Sequence, residues 1–83
     1  MSTPFLLGFA DALVSRLIAE GLLEVRSGQA ERVRLYLANH LATVARGGSL
    51  LSSVEAALIA CPEVEEVYAD LDQLKIVVED LKT

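Results

Sequence analysis

The chain is poor in the residues that staple, clip or cut a fold. Among 83 residues there are one cysteine, one histidine, two prolines and no tryptophan, and aromatics make up only 5%. A single thiol, Cys61, excludes an intrachain disulfide, and with His40 as the only imidazole a Cys/His zinc site has too few ligands. The sequence contains no Gly-Lys-Ser/Thr phosphate loop, no CxxC, no HExxH and no calcium-loop pattern, and Gly47–Gly48 stands alone. There is no low-complexity tract, and the richness in Leu, Val, Ile and Ala excludes a disordered chain. Long uncharged apolar runs are missing too. The most apolar stretch, Phe5 to Leu23, is interrupted by Asp11, Arg16 and Glu20, whereas a membrane span needs roughly 20 mostly uncharged residues. No Lys or Arg precedes the first apolar run, which argues against a signal peptide. A free thiol without an export signal is expected in the reducing cytoplasm.

What is abundant is apolar surface, at 53% of residues, set against 23% charged residues and a net charge of −5. A chain of this size buries only about 60–65% of its unfolded surface, so small folds lean on disulfides, metals or association. With the first two excluded, association is the remaining route. The charge is divided unevenly. Residues 1–46 carry five Arg and four acids, net +1, whereas residues 47–83 carry two Lys and eight acids, net −6. The acidic end excludes nucleic acid, whose binding rests on neutralised phosphates, and equally an anionic membrane.

Periodicity predicts an all-α single domain over 1–83, a compact bundle of three to four short helices at about 4–20, 28–46, 50–61 and 63–81. In the first, Ser2 or Thr3 caps and Pro4 occupies the first position. Leu6, Phe9, Leu13, Leu17 and Ile18 recur at helical spacing, and Leu7 and Val14 broaden the stripe beyond half the circumference, so cover on two sides is expected. Gly21 stands where a left-handed C-cap belongs, with Leu22 folding back on the last turn. Ser27 is the expected cap of the second helix, whose stripe is Ala30, Val33, Leu37, Leu41 and Val44, with Arg46 near its end and Gly47–Gly48 stopping it. In the third, Ser49 or Ser52 caps, Leu50, Leu51, Val54, Leu58 and Cys61 face inward, and Pro62 ends the helix. In the fourth, Val64, Val67, Leu71, Leu74, Val78 and Leu81 alternate intervals of three and four, a heptad seam on a helix that is either continuous or broken near Asp70. An alternative reading of the same segment is a β-hairpin at about 64–79 with its turn at Asp70–Gln73, which makes the fold α+β. Helix, helix, Gly-Gly, helix and then a hairpin resembles a winged-helix domain. That resemblance implies a transcription-related role, and it makes the third helix the recognition helix. With Glu55 as its only charge, this helix suits a protein partner better than DNA.

Nothing converges on catalysis. His40, four residues after Tyr36, is expected to stack on that ring, and Cys61, ending an apolar stripe without a basic neighbour, to be buried and inert. Glu63, Glu65, Glu66, Asp70 and Asp72 lack the glycine and the alternate spacing of a calcium loop and are expected to form a solvated acidic face. No enzyme activity, metal, cofactor or small-molecule substrate is therefore expected. The expected role is a non-catalytic protein–protein interaction or self-association module, its partner a second copy, as a dimer, or another protein. Interface candidates are Leu71, Leu74, Val78 and Leu81 on the seam and Phe5, Phe9 and Leu13 on the first helix.

Overall fold

A computed structural model describes residues 3–43 and 49–82. The chain runs α1 (Thr3–Ala19), β1 (Leu23–Val25), α2 (Ala30–Thr43), α3 (Leu50–Ala60), β2 (Val64–Val67) and α4 (Leu71–Lys82). Its four helices make it mostly helical, as expected, and the small antiparallel sheet fits the α+β alternative better than a pure all-α bundle. The molecule measures 31 × 24 × 20 Å.

Helix α1 is the central element. It packs on α2, on α4 and on β1, which is the two-sided cover its broad stripe requires. Leu6, Phe9, Ala10, Leu13, Val14 and Leu17 point into the core, whereas Leu7 and Ile18 stay at its exposed margin. Its end is a Schellman motif: Gly21 adopts φ +73°, the Leu22 N–H donates to the Leu17 carbonyl at 2.8 Å and the Gly21 N–H to the Ile18 carbonyl at 3.1 Å. Glycine carries this left-handed position at no steric cost.

Helix α2 starts two residues later than its expected onset at residue 28. Ser27 does not cap it. Residues Arg26 to Gln29 form a turn closed by the Gln29 N–H on the Arg26 carbonyl at 2.9 Å, with Gly28 at φ +75°, and the first helical carbonyl is that of Gln29. Val33, Leu37, Ala38 and Leu41 are buried. The expected continuation through Val44 and Arg46 to Gly47–Gly48 lies outside the described residues. Helix α3 takes Ser49 as its cap, the hydroxyl accepting from the Ser52 N–H at 3.4 Å. It buries Val54, Ala57 and Leu58, with Ser53 satisfied by donating to the Ser49 carbonyl at 3.0 Å.

The expected single helix over 63–81 is not formed. Residues 64–67 are a strand paired with β1, and only Leu71–Lys82 is helical. The expected hairpin over 64–79 is not formed either: its first arm exists, but that arm pairs with Leu23–Val25, and its second arm is α4. The reason is local. Asp70 and Gln73 form a reciprocal capping box, the Gln73 N–H donating to Asp70 Oδ1 at 2.8 Å and the Asp70 N–H to Gln73 Oε1 at 2.9 Å. A residue that caps leaves helical geometry, so no helix runs through Asp70. Beyond the cap, Leu74, Val77 and Val78 are buried and Leu81 is half-buried, at the spacing of one α-helical face.

In the sheet, Leu23 lies opposite Val67, Glu24 opposite Glu66 and Val25 opposite Val64. Glu65 is thus the extra residue of a bulge. The bulge resets the strand's alternation, so Val64 and Val67 both pack on the core despite an interval of three.

Candidate functional site

The seven interface candidates separate into two groups. Phe9, Leu13, Leu74 and Val78 are sealed inside one copy of the chain, each at most 6% exposed. Leu81 is half-buried against the same core. Phe5 and Leu71 are open to solvent, at 48% and 49%, with Phe5 stacked on Phe9 at a ring separation of 6.1 Å. Phe5 lies in the first turns of α1 and Leu71 at the start of α4.

A cleft that sequence patterning did not single out lies where α3, β2 and the start of α4 meet. Its volume is about 340 Å³. Leu58 and Leu74, both fully buried, form the bottom, and the half-buried Val64, Val67 and Ala69 form one wall. Ile59 stands at the mouth with 72% of its surface in solvent. The charged residues that line it are Glu55 of α3 and Glu65 and Glu66 of β2; among the described residues no basic side chain lines it.

The electrostatics around this opening are one-sided. Ion pairs lie elsewhere: Arg16 with Glu20 at 2.6 Å and Asp80 at 2.7 Å, Arg34 with Asp11 at 2.9 Å and Glu31 at 3.5 Å, and Lys82 with Glu79 at 3.8 Å. Among the described residues, no ion pair reaches Glu24, Glu55, Glu65 or Glu66. Glu24 and Glu66 even face each other across the strands, an arrangement that costs stability. The exposed Tyr68 phenol registers the same field. The Glu24 carboxylate, together with desolvation and with Glu66 and Glu65, pushes its pKa above the usual tyrosine range.

Chemically reactive groups are not brought together. Cys61 is buried, its Sγ 3.7 Å from Glu63 Oε1, and burial first of all raises its pKa, which keeps it a thiol. His40 stacks on Tyr36 at 6.3 Å with rings 19° from parallel. Among the described residues no group of three or more His, Cys, Asp or Glu is placed to hold a metal, and no helix is long and apolar enough to cross a membrane. Comparison of the chain with protein-family models, with curated proteins and with solved structures finds no match.

Proposed function

We propose that this chain is a non-catalytic protein-interaction module, binding another polypeptide through the surface around Ile59. The observation that carries this reading is the exposure of that side chain beside a cleft whose bottom is apolar. An exposed aliphatic side chain beside a cleft lined by apolar residues supports a contact surface there. Tyr68, after β2, and Leu71, at the start of α4, are exposed as well. A cytoplasmic setting suits the unpaired, buried thiol.

The partner is a second copy or a foreign chain. Sedimentation across a wide concentration range separates them. A dimer that Ile59→Asp returns to monomer identifies a second copy. A strict 8.9 kDa monomer at high concentration removes self-association and leaves a foreign chain. The reading as a whole fails if Ile59→Asp, with its fold intact by circular dichroism, alters neither self-association nor the binding of any peptide that the unmodified chain binds.

A second reading, a winged-helix-like domain with a transcription-related role, draws support from the order helix, strand, helix, helix, strand. In it α3 takes the recognition position, and its solvent side presents Ser52, Ala56 and Ile59 beside Glu55, with no cation for phosphate. Such a domain would bind protein. A gel shift at low salt is the check, and no retardation of duplex DNA is expected.

A further inference from the structure

Within the reading of the chain as an interaction module, on which this inference rests, we propose that the α3–β2–α4 cleft takes a cationic amphipathic segment of a different protein, apolar side chains entering over Val67 and Ile59 while Lys or Arg residues meet Glu55, Glu65 and Glu66.

Three observations select this occupant. The first is composition: Leu58, Ile59, Val64, Val67, Ala69 and Leu74 line the cleft beside Glu55, Glu65 and Glu66, and among the described residues none of those lining it is basic. The second is the absence, among the described residues, of any cation paired with those carboxylates, although Arg16, Arg34 and Lys82 all find acidic partners elsewhere. Unpaired charges of one sign around an apolar cleft attract the opposite sign, speed encounter and exclude anionic competitors. The third is the net charge of −5. Two copies repel each other, and the half of each copy that holds the cleft is the more acidic half, so a second copy is the wrong occupant. A volume of about 340 Å³ lies at the small end of ligand-pocket sizes and suits a few side chains of a docked segment. Uncharged apolar segments would fill the cleft but leave the carboxylates without partners. Polycations without an apolar stripe would satisfy the carboxylates but leave Ile59 in water.

The test uses three synthetic peptides of equal length: an amphipathic helix of leucine and lysine, a scrambled version of the same composition with no apolar stripe, and a leucine–glutamate counterpart. Binding is followed by amide shifts in the full chain. The amphipathic cationic peptide is expected to bind most tightly, with shifts concentrated at Glu55, Ile59 and residues 64–69, and to weaken as salt is raised. The Glu65→Lys/Glu66→Lys double variant, its helicity unchanged, is expected to lose about tenfold in affinity, because two exposed attractions become repulsions. Equal binding of the scrambled peptide overturns the inference, as do equal binding of the glutamate peptide, shifts centred on α1 or α2, or no binding at all. Sedimentation of the chain alone keeps the two claims apart. A dimer broken by Ile59→Asp, with no peptide bound, sinks the cationic segment but leaves the interaction module standing. A monomer that binds none of the peptides sinks both.

Discussion

On the side of the molecule built from α1, α2 and α4, arginine ties helices together. Arg16 joins α1 to α4 through its ion pair with Asp80, and Arg34 joins α2 to α1 through its ion pair with Asp11 and a hydrogen bond that its guanidinium donates to Ser15 Oγ at 3.2 Å. On the side built from α3 and the β1–β2 sheet, Glu24, Glu55, Glu65 and Glu66 form no ion pair among the described residues. The core beneath is shared: buried residues from all four helices and Leu23 of β1 form one cluster. The two sides therefore differ in what is done with surface charge and not in how they are packed. Where carboxylates are paired, they hold the fold together. Where they gather unpaired, they cost stability and present an apolar cleft to the outside.

The largest expected effects treat the two sides alike. Leu37→Ala in α2 and Leu58→Ala in α3 each remove a fully buried side chain and should cost about 2–5 kcal/mol. For a domain whose total stability is about 5 kcal/mol, either change brings unfolding close to ambient temperature. Both variants should melt in one transition by circular dichroism and calorimetry; two separate transitions would show that the sides are independent units.

At the seam between them, Gly21→Ala places a Cβ on a residue at φ +73° with no neighbouring atom within 4 Å, so its cost is backbone strain alone, about 1–2 kcal/mol. An unchanged urea midpoint would mean that the Schellman turn contributes nothing.

Surface charge is where the sides should respond with opposite sign. Arg34→Gln deletes the pairs to Asp11 and Glu31 and should destabilise by about 0.2–1 kcal/mol per pair. Glu66→Lys puts a cation opposite Glu24 and should stabilise by about 0.2–1 kcal/mol. If both substitutions shift the denaturation midpoint in the same direction, the contrast between a paired and an unpaired side is wrong.

The smallest effect is spectroscopic. Tyr68 should ionise above the usual tyrosine range, and Glu24→Gln should bring it back down, read from phenolate absorbance against pH. The folded state holds this proton more tightly than the unfolded one. Its contribution to stability is therefore complete below the ordinary tyrosine value of about 10 and is lost as pH rises through the folded value.

Much of the helical framework was legible in the sequence. Periodicity and punctuation place α1 and α3 to within a residue or two, because Gly21, Ser49 and Pro62 end or begin helices by local chemistry that needs no tertiary partner. The sheet was not legible for a specific reason. Val64 and Val67 are three residues apart, the interval of a helix, and it is the bulge at Glu65 that lets both face inward from a strand. The heptad seam read across residues 64–81 therefore joined two elements whose apolar residues fall into step by coincidence. One signal against it was present: Asp70 followed three residues later by Gln73, just before an apolar run, is a capping box and breaks any continuous helix. The cleft was hidden more deeply. Its lining comes from three consecutive elements, α3, β2 and α4, and the strand among them was read as part of a helix. The acidity of residues 63–72 was visible, but the apolar surface it surrounds was not.

The pairing of Leu23 with Val67 also bears on the order in which the molecule assembles. Helices α2 and α3 are neighbours in sequence and can dock early, whereas joining β1 to β2 closes a loop that contains both, and long-range closures of this kind are the slow steps of folding. Glu65 and Glu66 reach the lip of the cleft only when that closure is made. A chain caught part-way through folding would carry the same acids strung along a flexible segment without the shape of the cleft, so the recognition surface proposed above depends on a contact made between distant parts of the sequence.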